Sequence, residues 1–432
     1  MLPVRQTRHE RLVPHAPVPA RRTAALVVVA LAAGAVGCGT DPGNGHAGRS
    51  DAGSSAEKPA VRTTYPVRLL GDGSTSDTGP QLHQPVPYRL VTGEMPPQFV
   101  VFSFDGAAED GRKLFSRFRA AGERAHAAMT YFLSGTSLLP ADRARRYAPP
   151  AGDHPTDGPG APDPPTIADT LRELRLAWRE GSEIGTAFNA RSCSRSAGEG
   201  EDEWTQGRWS SEIRQAEGFV THWKTYAGLT DEDPLPFDYA KELAGGRAPC
   251  PDGGPGLVPA EAAAGFRYDA SGADGRQVWP GKEGSVWEFP LPSVPLPGST
   301  REVAATDDAV ANDAAMGDAA ASGPAAGLGA LSARQVHDSL VAAFARSYRG
   351  NRAPLYVAAH FATAGTGYLQ GVEDTIEDVC ARPGVRCVSF KQLADWLDAQ
   401  DPRVLARLRT LAVGQAPKEG WKDFVAEAKG RS

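Results

Sequence analysis

The sequence predicts an α/β fold, a parallel sheet covered by helices and closed or nearly closed into a (β/α) barrel. Two observations predict it. Short apolar runs of strand length alternate with amphipathic helical stretches over about 300 residues, the pattern of strands joined by crossover helices. The first of those runs also ends abruptly on a carboxylate and a glycine, as barrel strands do where they hand over to loops.

The elements follow in order. "QFVVFSF" (98–104) reads as a buried strand ending at Asp105, and "GRKLFSRFRAAGE" (111–123) as the helix after it. "AAMTYFLSG" (127–135) is a second strand. "IADTLRELRLAWREG" (167–181) places Ile167, Leu171, Leu174 and Trp178 on one helix face. "SEIGTAF" (182–188) is a third strand. "SSEIRQAEGFVTHWKTYAG" (210–228) opens with serine and carries Glu212 early, an N-terminal cap signal. "PLYVAAHF" (354–361) and "RCVSF" (386–390) are late strands, the second followed by the helix "KQLADWLDA". Residues 140–166 and 303–330 are rich in Pro, Asp, Gly and Ala and read as surface insertions.

The first residues are not part of that fold. Arg5, Arg8, Arg11, Arg21 and Arg22 precede an apolar stretch from Ala24 to Val36, too short for a comfortable membrane span. That is the layout of a signal peptide over residues 1–37. Ala35-Val36-Gly37-Cys38 resembles the lipobox of bacterial lipoproteins, which implies cleavage before Cys38 and lipidation of that cysteine. The expected chain is exported and lipid-anchored to the outer face of the cell membrane. Residues 38–95 are read as a tether, 96–398 as the domain and 399–432 as a helical tail, with regular structure starting near Pro96.

Charge narrows the partners. The chain carries a formal charge of −6, and removing five arginines and one glutamate with the signal leaves 41 basic and 51 acidic residues. Such a balance lacks the basic footprint of a sequence-independent nucleic-acid binder. It leaves a neutral glycan open. In an oxidising compartment the remaining cysteines, Cys193, Cys250, Cys380 and Cys387, can form two disulfides. Cys380 and Cys387 flank a short turn and are paired here, leaving Cys193 with Cys250. No CxxC pair supports a structural zinc site instead.

Several segments in series resemble the polysaccharide deacetylases, carbohydrate esterase family four, and in the C-terminal third their chitin-deacetylase-like branch. The carriers are "SLVAAFARSYRGNRAPLYVAAHF" (339–361), "GVRCVSFKQLADWL" (384–397), "GGRAP" (245–249), "AGFRYDASG" (264–272) and "SVWEFPL" (285–291), in the family's order and spacing. The resemblance implies a distorted (β/α) barrel of the polysaccharide-deacetylase type that removes acetyl groups from glycans with a divalent metal, usually zinc. In that chemistry one Asp and two His hold the metal, which lowers the pKa of a bound water. A second Asp takes the water's proton, a late-strand His protonates the leaving group, and an Arg orients the basic Asp.

Carried over by position, the resemblance makes Asp105 the base, Arg247 the orienting arginine and His360 the acid. The metal half is missing. The ligand positions are occupied by Gly106, Ala187 and Arg191, and no histidine stands between His154 and His222. Glu183, Asn189 and Asp202 are near in sequence, but Glu183 sits on a strand frame that points it away. No cofactor is therefore expected. Trp204, Trp209, Trp279 and Trp287 are candidates for stacking on sugar rings.

The favoured reading is a lipid-anchored, nearly inactive member that binds cell-envelope glycan. The second is an active deacetylase or esterase with substituted ligands or no metal. A third is a structural or interaction role in the envelope.

Overall fold

The structure, a computed structural model, describes residues 66–149, 161–189, 204–249, 253–272, 275–296, 298–300, 302–307, 328 and 331–430. They belong to one compact unit, Thr63–Ser432. In chain order the strands are β1 Arg68–Leu70, β2 Thr75–Asp77, β3 Gln98–Asp105, β4 Thr130–Leu133, β5 Glu183–Thr186, β6 Gly245–Gly246 and β7 Tyr268–Asp269. They continue as β8 Lys282–Glu283, β9 Val286–Glu288, β10 Ser293–Pro295, β11 Glu302–Ala304, β12 Leu355–His360 and β13 Val385–Cys387.

Nine of these build the main sheet, ordered β12-β3-β4-β5-β6-β7-β9-β8, with β13 also on β3. Every pairing is parallel except β8 with β9. β3 is the organising strand, and all eight of its residues are buried. β12 pairs with residues 100–105 of β3, β4 with 103–105 and β13 with 98–100.

Both faces of β3 are apolar because both are covered. Phe104 packs on Phe118 of the helix Leu114–Ala125, ring centroids 4.5 Å apart, while Phe99 packs on Trp396 of the helix Phe390–Asp398 at 4.9 Å. The sheet curls round that second helix. Tyr356 on β12 and Phe289 just past β9 belong to distant strands of the ladder, yet their rings are 5.5 Å apart. Both also meet Phe390, at 5.4 and 5.3 Å. The fold is thus a curled, mostly parallel sheet with helices outside and the helix Phe390–Asp398 packed on its inner face.

Close approach explains the glycine at 245. A Cβ on Gly245 would strike the carbonyl and ring of Tyr268, so β6 and β7 come together there only around glycine.

Several boundaries differ from the sequence expectations. Among the described residues regular structure begins at Arg68, in the β1–β2 hairpin, and the part of the expected tether that is described, residues 66–95, is hydrogen-bonded to the rest of the domain. The third long helix is Gln206–Thr221, capped by Thr205 through the Arg208 amide; Glu212 lies buried within it, away from the cap. Ser389 ends the last strand early because it caps the helix after it with Gln392 in a capping box. The C-terminal helices Pro402–Arg409 and Trp421–Ala428 insert Val404, Leu408, Phe424 and Val425 into the inner core. Among the described residues no helix is long and apolar enough to cross a membrane.

Candidate functional site

Register alone brings the predicted acid–base residues to one end of the sheet. Asp105 is the last residue of β3 and His360 the last of β12, and the two are direct partners across the ladder. Arg247 follows Gly246 of β6, whose partner in β5 is Thr186. Loops begin at each of these points, so side chains project from the strand ends.

The three side chains meet. Arg247 Nη1 donates to Oδ2 of Asp105 at 3.0 Å, and His360 Nε2 lies 3.4 Å from the same oxygen. Arg247 is aimed by its other end, where Nε donates to the Ala270 carbonyl at 2.9 Å. Its guanidinium also sits over the Phe132 ring, 4.8 Å from the centroid. Asp105 and Arg247 are 8 % and 5 % exposed at the side chain, so this is a buried, hydrogen-bonded ion pair. Oδ1 of Asp105 and Nη2 of Arg247 have no hydrogen-bond partner among the described residues. Both atoms are buried.

A fourth residue completes the arrangement, and the sequence reading missed it. Asp307 is buried, and its Oδ1 accepts from the His360 backbone N–H at 2.9 Å and lies 3.2 Å from His360 Nδ1. Thr363 Oγ1 donates to its other oxygen at 3.2 Å. With Nδ1–H donated to Asp307, the imidazole presents Nε2 to Asp105. The only signal in the sequence was the Thr-Asp-Asp at 306–308, at the head of a stretch taken for an insertion. β10 and β11 carry that stretch back to the sheet, where the Ala358 amide bonds the Ala305 carbonyl at 2.9 Å.

The zinc that the resemblance implies does not fit these residues. Gly106 offers no donor and has φ 72°, a left-handed conformation, and Ala187 just past β5 offers none. Arg191 and Asp202 lie outside the described residues. Among the described residues no group of three or more His, Cys, Asp or Glu is placed to hold a metal ion. Glu183 and Asn189 are committed elsewhere. Glu183 is buried and accepts from Tyr268 OH at 2.8 Å, Thr130 Oγ1 at 3.0 Å and the Lys391 amide at 2.9 Å. Asn189 bonds Glu212, its amide donating to Oε1 at 2.8 Å.

The tryptophan expectation is corrected. Trp204, Trp209, Trp279 and Trp287 are at most 3 % exposed, and none presents a ring face to a sugar. Trp209, Trp279 and Trp287 donate their indole N–H to Gly253 O, Asn351 O and Asp398 Oδ1, as buried tryptophans do. Cys380 and Cys387 form the expected disulfide. Cys38, Cys193 and Cys250 lie outside the described residues.

A second set of carboxylates sits along the same sheet. Asp269 on β7 is the register partner of Glu288 on β9, and Glu261 on the helix Leu257–Ala264 interacts with both. Glu261 is fully buried with neither oxygen bonded among the described residues. Burial pushes its carboxyl well above the usual range. Burial likewise moves Asp269 up to about 6, against hydrogen bonds from Ser271, and Glu288 up to about 8. Ser271 links this group to the site, since its hydroxyl bonds Asp269 and accepts the Ala248 amide at 2.9 Å, next to Arg247.

No family model matches the chain, and no curated protein does. Solved structures are similar to it at low identity. A candidate polysaccharide deacetylase from Mycobacterium smegmatis is 16 % identical, with 72 % of this chain and 94 % of that one covered, at a TM-score of 0.45. A family-four carbohydrate-esterase domain of a multidomain xylanase from the hindgut metagenome of Trinervitermes trinervoides is 11 % identical, covering 69 % and 90 %, at 0.36. A mutant of a pseudoenzyme of that same family is 8 % identical, covering 73 % and 72 %, also at 0.36. At these scores no residue's role rests on the likeness.

Proposed function

We propose that the chain is a cell-envelope lipoprotein whose polysaccharide-deacetylase-like domain has lost its metal triad and binds glycan with little or no deacetylase activity. The carrying observation is a site kept in one half and emptied in the other. Arg247, Asp105, His360 and Asp307 are linked in one buried chain of contacts. Gly106 and Ala187 stand where metal donors belong in the resemblance.

The chemistry of the retained half is limited. Asp105 can accept a proton or hydrogen bond, Arg247 orients it, and His360 can donate from Nε2 when its ring is doubly protonated. Unassisted water has a pKa near 15.7, against about 7 on catalytic zinc, so a lone carboxylate base faces a barrier higher by several kcal/mol. The same groups bind sugar hydroxyls and acetamido carbonyls without needing that barrier.

The reading is tested by titrating the lipid-free protein with acetylated chito-oligosaccharide and with muropeptide glycan while assaying acetate, with and without added zinc. Binding of a glycan that Asp105→Asn weakens, with no acetate released, is the expected result. Zinc-dependent acetate release that Asp105→Asn abolishes would establish the second reading, an active deacetylase with substituted ligands. Mass spectrometry of the full-length protein for a diacylglyceryl group on Cys38 tests the anchor separately.

A further inference from the structure

The segment that leads into the sheet carries the exposed apolar surface. Val67, Leu69, Leu82, Val86, Val91 and Met95 are the exposed large apolar side chains among the described residues, at 43 to 84 %. Scattered single exposures need no explanation, but all six fall between positions 67 and 95.

This strap is held, so its exposed side chains are presented on a fixed path. Gln81 Nε2 donates to the carbonyls of Trp178 and Ser182 at 2.9 and 2.7 Å, and Gln84 Nε2 to Gly181 at 3.0 Å. The Leu90 amide donates to Gln400 Oε1 at 2.9 Å and the Gly93 amide to Lys422 O at 3.1 Å. Gly181 and Ser182 lead into β5, and Gln98 at the strap's far end opens β3. The strap therefore runs along the end of the sheet where strands start. Asp105, Arg247 and His360 stand at the other end, roughly 25 Å away along an eight-residue strand.

We propose that the strap lies against a lipid bilayer, with the Asp105 end of the sheet turned away from it. The proposal rests on the lipoprotein reading for its occupant. Cys38 precedes Pro66 by only 28 positions, so an acyl chain there tethers this strap, before any other part of the domain, to the membrane. Charge does not supply the attraction. Arg68 and Arg89 are outnumbered by Asp72, Asp77 and Glu94 within the strap. The contact is apolar, with Leu and Val side chains entering the headgroup boundary, and it is insensitive to salt.

The test uses the lipid-free unit Thr63–Ser432 and sedimentation with phosphatidylcholine vesicles. We expect half of the protein to pellet by ~1 mM lipid, to the same extent at low and high salt. Leu69→Ser/Leu82→Ser/Val86→Ser should weaken binding at least roughly fivefold, with far-UV circular dichroism unchanged. As a measurement that does not depend on the triple variant, a bimane label on Leu82→Cys should shift to the blue on vesicles, and one on Ala362→Cys at the site end should not. No pelleting of the wild type, equal pelleting of the triple variant, or equal shifts at both labels would each overturn the proposal. So would a lipid-free dimer that the triple variant dissolves, which would give the strap to a second copy. Because no acyl group is present, these outcomes are independent of whether Cys38 is lipidated, and they leave glycan binding untouched.

Discussion

Two groups of buried carboxylates on one sheet met opposite fates. Asp105, at the end of β3, is held by the Arg247 guanidinium and faced by His360, itself backed by Asp307. Glu261, Asp269 and Glu288, around β7 and β9, face one another; Arg247 reaches only Asp269, at its edge, and acts on it less than burial does. Where a guanidinium is built in beside a buried acid, it donates to the carboxylate and fixes its orientation as an acceptor. Around Glu261 burial dominates, and it pushes all three carboxyls up, Asp269 to about 6 and Glu288 to about 8. Burial marks neither group as functional; the partner does. That is why the Asp105 end is the candidate site.

The largest effect should come from removing the cation that distinguishes the two. Arg247→Met leaves Asp105 buried and unpaired and should cost about 3–5 kcal/mol in chemical denaturation. Asp105→Asn/Arg247→Met should recover a substantial part of that loss, because no lone charge remains. If the double variant is as unstable as the single, the pair does not carry the difference between the regions.

A control acts on neither carboxylate group. Cys380→Ser/Cys387→Ser opens a loop of sequence separation 7 beside β3 and should cost about 2–3 kcal/mol by the chain-entropy estimate. Its effect should be equal at pH 5 and pH 9.

The uncompensated group should make itself visible through pH. With Asp269 raised to about 6 and Glu288 to about 8, the folded protein keeps protons that the unfolded chain has already released. Their contribution to stability is therefore full below pH about 4 and is lost as the pH climbs through 6 and 8. Melting temperature should fall across that window. Glu261→Gln, which removes the most deeply buried of the three acids, should flatten the fall and raise the melting temperature at pH 9. A fall of equal steepness in this variant would remove Glu261 from the account.

Glu288→Gln is the smallest case. Only partly buried, Glu288 can relax toward water, and a gain of less than about 1 kcal/mol at pH 9 is expected. A larger gain than that of Glu261→Gln would reverse the order of burial.

Much of this was legible from the chain alone, because it depended on local pattern. The apolar runs at 182–188 and 354–361 contain β5 and β12, the run at 98–104 is β3 but for its last residue, and their ends mark Asp105 and His360. Arg247 was legible through the Gly-Gly-Arg-Ala-Pro segment that resembles the deacetylase motif. The expected Cys380–Cys387 bridge rested on a short separation, and it forms. Asp307 was not legible, since it lies in an Ala- and Asp-rich stretch with no period, and only the return of β11 beside β12 brings it to His360. The four tryptophans misled because type and position do not report depth. A loop tryptophan and a core tryptophan look alike until the sheet curls over them.

The sequence by itself determined the α/β alternation, the strand ends that carry Asp105 and His360, and the absence of histidine where the resemblance puts metal ligands. Those are properties of neighbouring residues and of what is or is not encoded. Tertiary structure decided which carboxylates have a cation, which aromatic rings are reachable, and which end of the sheet shows apolar side chains. Those depend on contacts between residues more than 100 positions apart, as with Asp105 and Arg247, and no local pattern in the chain encodes such distances.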